Sequence, residues 1–260
     1  MSLRIMTWNI SYAYGPGSEG DERYQPKSSK HFGTSLDAMG DTIKKLDPDV
    51  VLLQEVDFRS KRSHFQNQLD HLARRSGLLY RSGIITWDRL YVPYPGLRPS
   101  RQFGPVLSGG GILSKTGIQP LQNDLLAKPR ENSRIYNYFY LQRFLQMVEI
   151  RGIRICNLHL EAFSRDNRDL HMVRLQDRLH EFDLDLAGGD FNGSALLRDE
   201  VQESFQTHTP PKATFPSDAP MQPLDQFILK KAKFSSVRIE VPDTGTLSDH
   251  LPVLLTVESP

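Results

Sequence analysis

The chain has 260 residues, 38% of them hydrophobic and 24% charged, with a formal net charge of +1. Near-neutrality excludes a whole-molecule electrostatic pull on nucleic acid or anionic membrane, so any polyanion must be held by a local patch. Cys156 stands alone, which excludes an internal disulfide and a thiol-based zinc site.

The length sits near the point where one hydrophobic core stops growing, roughly 250–300 residues, and no linker or charge block marks a seam. One domain over residues 1–260 is expected. Residues 1–9 lack the long apolar core of a signal peptide, and no apolar run reaches about 18 residues. A cytoplasmic location, no transmembrane segment and a monomer are the expectations.

Residues 4–10 (RIMTWNI) read as a short core strand ending on Asn9. Residues 11–33 form a Gly-, Pro- and Ser-rich loop too long for a plain connector. Residues 34–46 carry apolar side chains at helical spacing, and Asp47-Pro48-Asp49 stops them. Residues 50–56 (VVLLQEV) are a strand buried on both faces that closes on Glu55, a carboxylate costly to bury without a partner.

Residues 65–75 fit an amphipathic helix, and residues 83–87 a strand. Residues 89–104 interleave Arg with Tyr and Phe and contain no acid. Such a loop either stacks on bases and pairs with phosphate or packs onto its own domain. Residues 108–114 (SGGGILS) read as a Gly-rich turn feeding a short strand, without the pattern of a P-loop. Tyr136, Tyr138, Tyr140 and Arg143 precede a strand at 146–150, and Arg151-Gly152 turns the chain into a strand at 153–160 that carries Cys156 as an inert core thiol and ends on His159.

Leu170, Val173, Leu175 and Leu179 mark a helix over 167–182. It leads into LAGGDFNGS at 186–194, where Asp190 and Asn192 flank Phe191. If the strand continues, the two point the same way; the alternative is an Asx turn closing the strand. Residues 223–229 (PLDQFIL) place Asp225 near the start of an apolar strand, where an acid needs a partner such as a His. Residues 246–257 put Ser248-Asp249-His250 immediately before a closing strand.

Polar residues thus recur at strand ends: Asn9, Glu55, His159, Asp190 with Asn192, Asp225, and Asp249 with His250. Hard oxygen donors, two imidazoles and amides, with no candidate Ser or Cys nucleophile, suit a divalent cation, an activated water and a phosphorus centre.

In order, TWNI, LLQEV, GILS, NLHL, GGDFN, LDQFIL and SDHLPV resemble the signature blocks of the endonuclease/exonuclease/phosphatase superfamily. The resemblance implies an α/β fold, a four-layer α/β/β/α sandwich of two mostly antiparallel sheets flanked by helices. It implies a Mg²⁺ site, with Mn²⁺ as the alternative, built from Asn9, Glu55 and Asp249. It implies that Asp190 activates the attacking water and Asn192 holds the phosphate. His250 is charged and oriented by Asp225, and His159 joins the catalytic group. Arg143 matches a phosphate contact more loosely.

His159 sets the chain apart from abasic-site enzymes of the exonuclease III type, and Gln226 departs from the commoner DYI pattern. The implied activity is phosphodiester hydrolysis, with nucleic acid as the first substrate and phospholipid or inositol phosphate as the alternative. A non-catalytic binding module of the same fold is the weaker alternative. The loops at 11–33 and 89–104 are expected to choose the substrate.

Overall fold

The computed structural model describes residues 2–16, 24–95 and 98–258. Residues 17–23 and 96–97, parts of the two loops expected to choose the substrate, lie outside the described residues. The first sheet is assembled from β1 (Ser2–Asn9), α1 (Ser29–Leu46), β2 (Val50–Asp57), α2 (Gln68–Ser76), β3 (Tyr80–Val92) and β4 (Gly104–Ser114). The second uses β5 (Gln119–Leu125), α3 (Arg134–Phe139), β6 (Phe144–Ile150), β7 (Ile153–His159), α4 (Arg165–Glu181), β8 (Leu186–Asp190), α5 (Asp199–Gln202), β9 (Phe205–His208) and β10 (Asp225–Lys230). β11 (Ser236–Glu240) and β12 (Val253–Glu258) return to the first.

The strand orders are β11-β12-β1-β2-β4-β3 and β5-β6-β7-β8-β10-β9. Each six-stranded sheet has one parallel pair, β1 with β2 across α1 and β7 with β8 across α4, and is otherwise antiparallel. The chain is therefore mixed α/β with mostly antiparallel sheets, as the resemblance implied.

Strand alternation builds the layers. Ile5, Val50 and Leu52 face inward to meet Ile155, Leu186 and Phe227 of the other sheet. Their neighbours Met6, Val51 and Leu53 face outward onto Phe32, Leu36, Met39 and Leu72 of α1 and α2. On the far side Met147, Cys156, Leu158 and Ala187 pack on Met172, Leu175 and Leu179 of α4. Burial of Cys156 pushes its thiol well up, in keeping with an inert core residue.

The helix ends follow from sequence. The Ser28 and Ser164 side chains accept the backbone N–H of His31 and Asn167, capping α1 and α4. α1 ends at Asp47 in the left-handed region. It starts earlier than residue 34, which shortens the early loop.

Three expectations need correction. The Gly-rich stretch at 108–114 is strand, not turn: a Cβ at Gly109 would sit 1.9 Å from the Ile84 carbonyl oxygen, and one at Gly110 would sit 2.1 Å from the Phe144 ring. Those glycines let β3 and the second sheet close in. In α4, Leu170 and Val173 are 53% and 42% exposed, and the buried face adds His171 and Gln176. His171 Nε2 meets the Ala127 carbonyl at 2.7 Å, and Gln176 accepts the Arg198 N–H at 2.7 Å. Finally, residues 89–92 extend β3, and Trp87, Val92 and Phe103 form a small buried cluster. Within the described part of the Arg/Tyr loop, Val92 and Phe103 pack onto the domain while Leu90, Tyr91 and Tyr94 stay exposed.

Candidate active site

Strand direction brings the predicted residues to one edge. β1, β7 and β8 end on Asn9, His159 and Asp190, while β10, running the other way, begins on Asp225. In register, Asp190 lies opposite His159 on one side and Asp225 on the other. Asn9 pairs with Gln54, one residue before Glu55.

Asp190 is the hub. Its Oδ2 accepts from Asn9 Nδ2 at 2.9 Å and lies 3.4 Å from His159 Nε2 and 3.7 Å from His250 Nε2. Its Oδ1 accepts the Asn192 backbone N–H at 2.9 Å. That bond is an Asx turn: β8 ends at Asp190, Asn192 has φ 52°, and its side-chain amide donates to the Leu160 carbonyl at 3.0 Å. The strand does not continue, so Asn192 reaches the site by turning back over Asp190. Gln226, the odd residue of the LDQF block, fixes this turn by donating to the Gly193 carbonyl at 2.6 Å and accepting from Thr209 Oγ1 at 3.1 Å.

His250 Nδ1 donates to Asp225 Oδ2 at 2.8 Å, both residues being buried. Burial alone would lower the imidazole pKa, but Asp225, Asp190 and Asp249 outweigh it and raise it to about 10. The ring is an imidazolium with Nε2 turned toward Asp190. The loop that carries it is pinned to β1: Trp8 Nε1 donates to the His250 carbonyl at 3.0 Å and Ser248 Oγ to the Asn9 carbonyl at 2.8 Å. Asp249 is buried beside Ser248, whose Oγ is 3.3 Å from its Oδ1.

Asp190 shifts the other way from a surface acid. Burial raises its pKa, His250 opposes, Asp225 adds to the rise, and the value settles at about 6. His159 is held neutral by burial, by Arg143 and by His250, which together push it well below its ordinary value. Arg143, buried beneath it, places Nη1 2.5 Å from Nε2 and 3.2 Å from Nδ1 of the His159 ring. The loosely transferred Arg143 therefore sits against the site.

A second row was not read from the sequence. Tyr140 donates to Glu161 Oε1 at 2.5 Å, and the same oxygen accepts the N–H groups of Ala162 and Phe163. Glu161 is fully buried two residues after His159, and that spacing was its only signal. Tyr12 is likewise buried, in a run with Ser11 and Ala13 at positive φ; burial and then Glu55 push its phenol well up. Nothing in the residue types announces that left-handed run.

Among the described residues three buried carboxylate oxygens have no hydrogen-bond partner, Glu55 Oε2, Glu161 Oε2 and Asp225 Oδ1. Glu55 has φ 55° where β2 shifts register between Leu53 and Val56, a bulge that re-aims its side chain. An orphaned buried carboxylate is costly unless a cation approaches, so the donors fit a hard divalent ion. Among the described residues, Asp190, Asp225 and His250 also bring one ligand atom each within 4.8 Å of one another. This grouping differs from the expected Asn9, Glu55 and Asp249. The short His250–Asp225 hydrogen bond occupies Nδ1, and Asn9 already spends its amide on Asp190 and its Oδ1 on the Ser11 N–H at 3.0 Å.

Two mixed sheets bring buried carboxylates, amides and an Asp–His pair together at one edge. The family model described as "Endonuclease/Exonuclease/phosphatase family" matches residues 6–250, and the chain belongs to that family. Its members are generally phosphoric ester hydrolases that use a divalent metal. No curated protein matches the chain.

Among solved structures, an endonuclease/exonuclease/phosphatase from Beutenbergia cavernae has a TM-score of 0.68 at 18% identity, over 99% of this chain and 72% of that one. A humanized D. rerio TDP2 gives 0.60 at 16%, over 99% of each chain. TDP2 from Caenorhabditis elegans gives 0.59 at 17%, over all of this chain and 75% of the other. At these identities the likeness is one of fold. No helix among the described residues is long and apolar enough to cross a membrane.

Proposed function

We propose that the chain hydrolyses phosphodiester bonds by in-line attack of water. The observation that carries this reading is Asp190 held between Asn9 and the Asp225–His250 pair at the shared edge of both sheets. With a pKa near 6, Asp190 is a carboxylate at neutral pH and takes the water's proton. The His250 imidazolium turns Nε2 to the charge that grows on the nonbridging oxygens, and Asp225 fixes its orientation and charge. Asn192, tied back over Asp190, keeps a second amide hydrogen for phosphate. His159 and Arg143 present a fixed neutral ring backed by a cation.

Glu55, with Asn9 and Asp249, is assigned to hold Mg²⁺ or Mn²⁺. Such an ion, when bound, supplies positive charge to the phosphate and its leaving oxygen.

Nucleic acid is the first substrate we assign, supported by the endonuclease and exonuclease members that give the family its name. The second reading is a phospholipid, and exposed apolar side chains favour it: Leu90, Ile135 and Phe163 are 93%, 76% and 83% exposed. The test is hydrolysis of bis-(p-nitrophenyl) phosphate and its mono-ester with Mg²⁺, Mn²⁺ or EDTA. Metal-dependent cleavage of the diester, lost in Asp190→Ala, is expected. Cleavage that survives in Asp190→Ala, or in EDTA, overturns the assignment. DNA and phospholipid vesicles then separate the two readings, since a nuclease loses affinity steeply with salt.

A further inference from the structure

A cation lies beside the turn that carries Asn192 and takes no part in the hydrolytic group. Arg168, early in α4, is half-buried and folds back over the segment that follows His159. Its Nη1 donates to the carbonyls of Glu161 at 2.9 Å and Ala162 at 3.1 Å. The flat of the guanidinium lies on Gly193, where a Cβ would sit 2.9 Å from Nε and 3.6 Å from Cζ. Gly193 follows Asn192, whose side-chain amide donates to the Leu160 carbonyl at 3.0 Å. Arg168 therefore bridges the two segments that leave the site from Asp190 and from His159.

The two carbonyls engage only Nη1. Among the described residues Nε and Nη2 have no hydrogen-bond partner, neither is shut away from solvent, and no carboxylate pairs with the group. Elsewhere on the same helix Arg174 and Arg178 both pair with Asp124, at 3.1 Å and 2.7 Å. The positions three and four away from Arg168 are Ser164, Arg165, His171 and Met172, none of them acidic. Asp166 and Asp169 are close in sequence, but a helix turns residues one and two apart away from each other. Across the gap, residues 191–197 (FNGSALL) carry no charge. The Glu161 carboxylate accepts from Tyr140 and from the N–H groups of Ala162 and Phe163. A partly desolvated cation without a carboxylate is one that an anion would stabilise.

We propose that Arg168 binds a second phosphate of the substrate, the neighbour of the phosphate being cleaved. Gly193, without a side chain, lets the guanidinium lie directly beside the turn of Asn192. An arginine takes an oxyanion through two parallel N–H groups, and Nε with Nη2 is such a pair. Arg62 uses the same two nitrogens on Asp57, at 3.0 Å and 2.9 Å. The catalytic edge is rich in carboxylates, with Glu55, Asp190, Asp225 and Asp249, so a phosphate next to it needs a cation of its own. The inference rests on the phosphodiesterase reading for the phosphate at Asn192. It narrows the substrate to one with at least two phosphates, supplied by a nucleic-acid strand or by a phosphorylated inositol headgroup.

The test compares substrates that differ in phosphates: a thymidine dinucleotide with one against an octanucleotide with several, and glycerophosphoinositol without and with ring phosphates. Arg168→Gln is expected to lower kcat/KM on the phosphate-richer member of one pair at least about tenfold more than on its one-phosphate partner, the loss lying in KM. Arg168→Lys, which keeps the charge but not the fork, recovers part of it. The pair that shows the difference identifies the source of the second phosphate. Equilibrium binding needs no turnover. In the Asp190→Asn background, Arg168→Gln weakens binding of that same ligand at least about tenfold, and for the octanucleotide the salt slope falls by about one. A wild type that cleaves none of these substrates removes the phosphodiesterase reading, while the binding measurement still decides the role of Arg168. An equal loss on both members of each pair overturns the proposal, because a guanidinium that only braces the Glu161 and Ala162 carbonyls harms every substrate alike. So does binding indifferent to Arg168→Gln, or no binding of any of these ligands.

Discussion

His250 and Asp225 answer to each other before they answer to substrate. Asp225→Asn keeps the shape of the pair but removes the largest of the three carboxylate charges that oppose burial, so the imidazole pKa falls. Turnover is expected to fall by roughly 10²–10³, as when one electrostatic stabiliser of a transition state is deleted, while KM moves little. Steady-state kinetics check this, and an unchanged kcat removes the role. The same pair bears on stability. A histidine whose folded pKa is raised contributes stability that is fully present below about 6.5, its unfolded value, and lost as pH rises through about 10. Melting curves of the metal-free wild type should therefore decline between those limits more steeply than those of Asp225→Asn. Glu55 makes a separate case. Its orphaned Oε2 predicts that Glu55→Gln weakens calorimetric Mn²⁺ binding at least about tenfold, the amide being a poorer donor to a hard cation. The substitution should not lower the melting temperature in EDTA, since no protein hydrogen bond to Oε2 is lost.

The elements around the site differ in how openly the sequence announces them. β2, β7 and β10 were legible because an apolar run ending or starting on a polar residue has few other meanings in a layered fold. The Asp190–Asn192 turn was legible only as a choice between strand and Asx turn, since Asp, Asn and Gly serve both. The glycines at 109–111 misled because their reason lies elsewhere in the chain: Ile84, Phe144 and Leu69 in turn fill the space that side chains would take. Glu161, Tyr12 and the polar face of α4 were silent for the same cause, their partners being remote in sequence. The Gly110 contact can be tested. A methyl there would collide with Phe144, a buried ring 6.4 Å from the His159 ring in an edge-on pair. Gly110→Ala should cost about 1–3 kcal/mol through overpacking. Because Phe144 must move and β6 carries it next to Arg143, activity should fall beyond what the lost stability explains. Urea unfolding measured beside kinetics separates the two. A stable, fully active variant would show that Phe144 yields freely.

At the scale of the whole molecule the catalytic edge depends on two sheets holding their offset, and an apolar interface alone fixes that offset weakly. Within it lies a polar network. Gln54 of the first sheet donates to Asn157 Oδ1 at 2.8 Å, and Asn157 Nδ2 lies 3.2 Å from the carbonyls of Leu53 and Gly111 and 3.3 Å from Gln146 Oε1. Gln54 and Asn157 are fully buried, one residue before Glu55 and two before His159. The network therefore fixes the sheets in register directly behind the site. Removing one member strands the others, each unsatisfied group costing about 1–3 kcal/mol, so Asn157→Leu should be strongly destabilising despite its apolar replacement. Once Asn157 is gone, Gln54 has lost its cross-sheet acceptor. Gln54→Leu should then cost less in the Asn157→Leu background than in the wild type. Urea midpoints of the four proteins form a double-mutant cycle, and a coupling of about 1 kcal/mol or more is expected. Additive effects would mean that apolar packing alone sets the offset, and the distances around Asp190 would then owe nothing to the network beneath them.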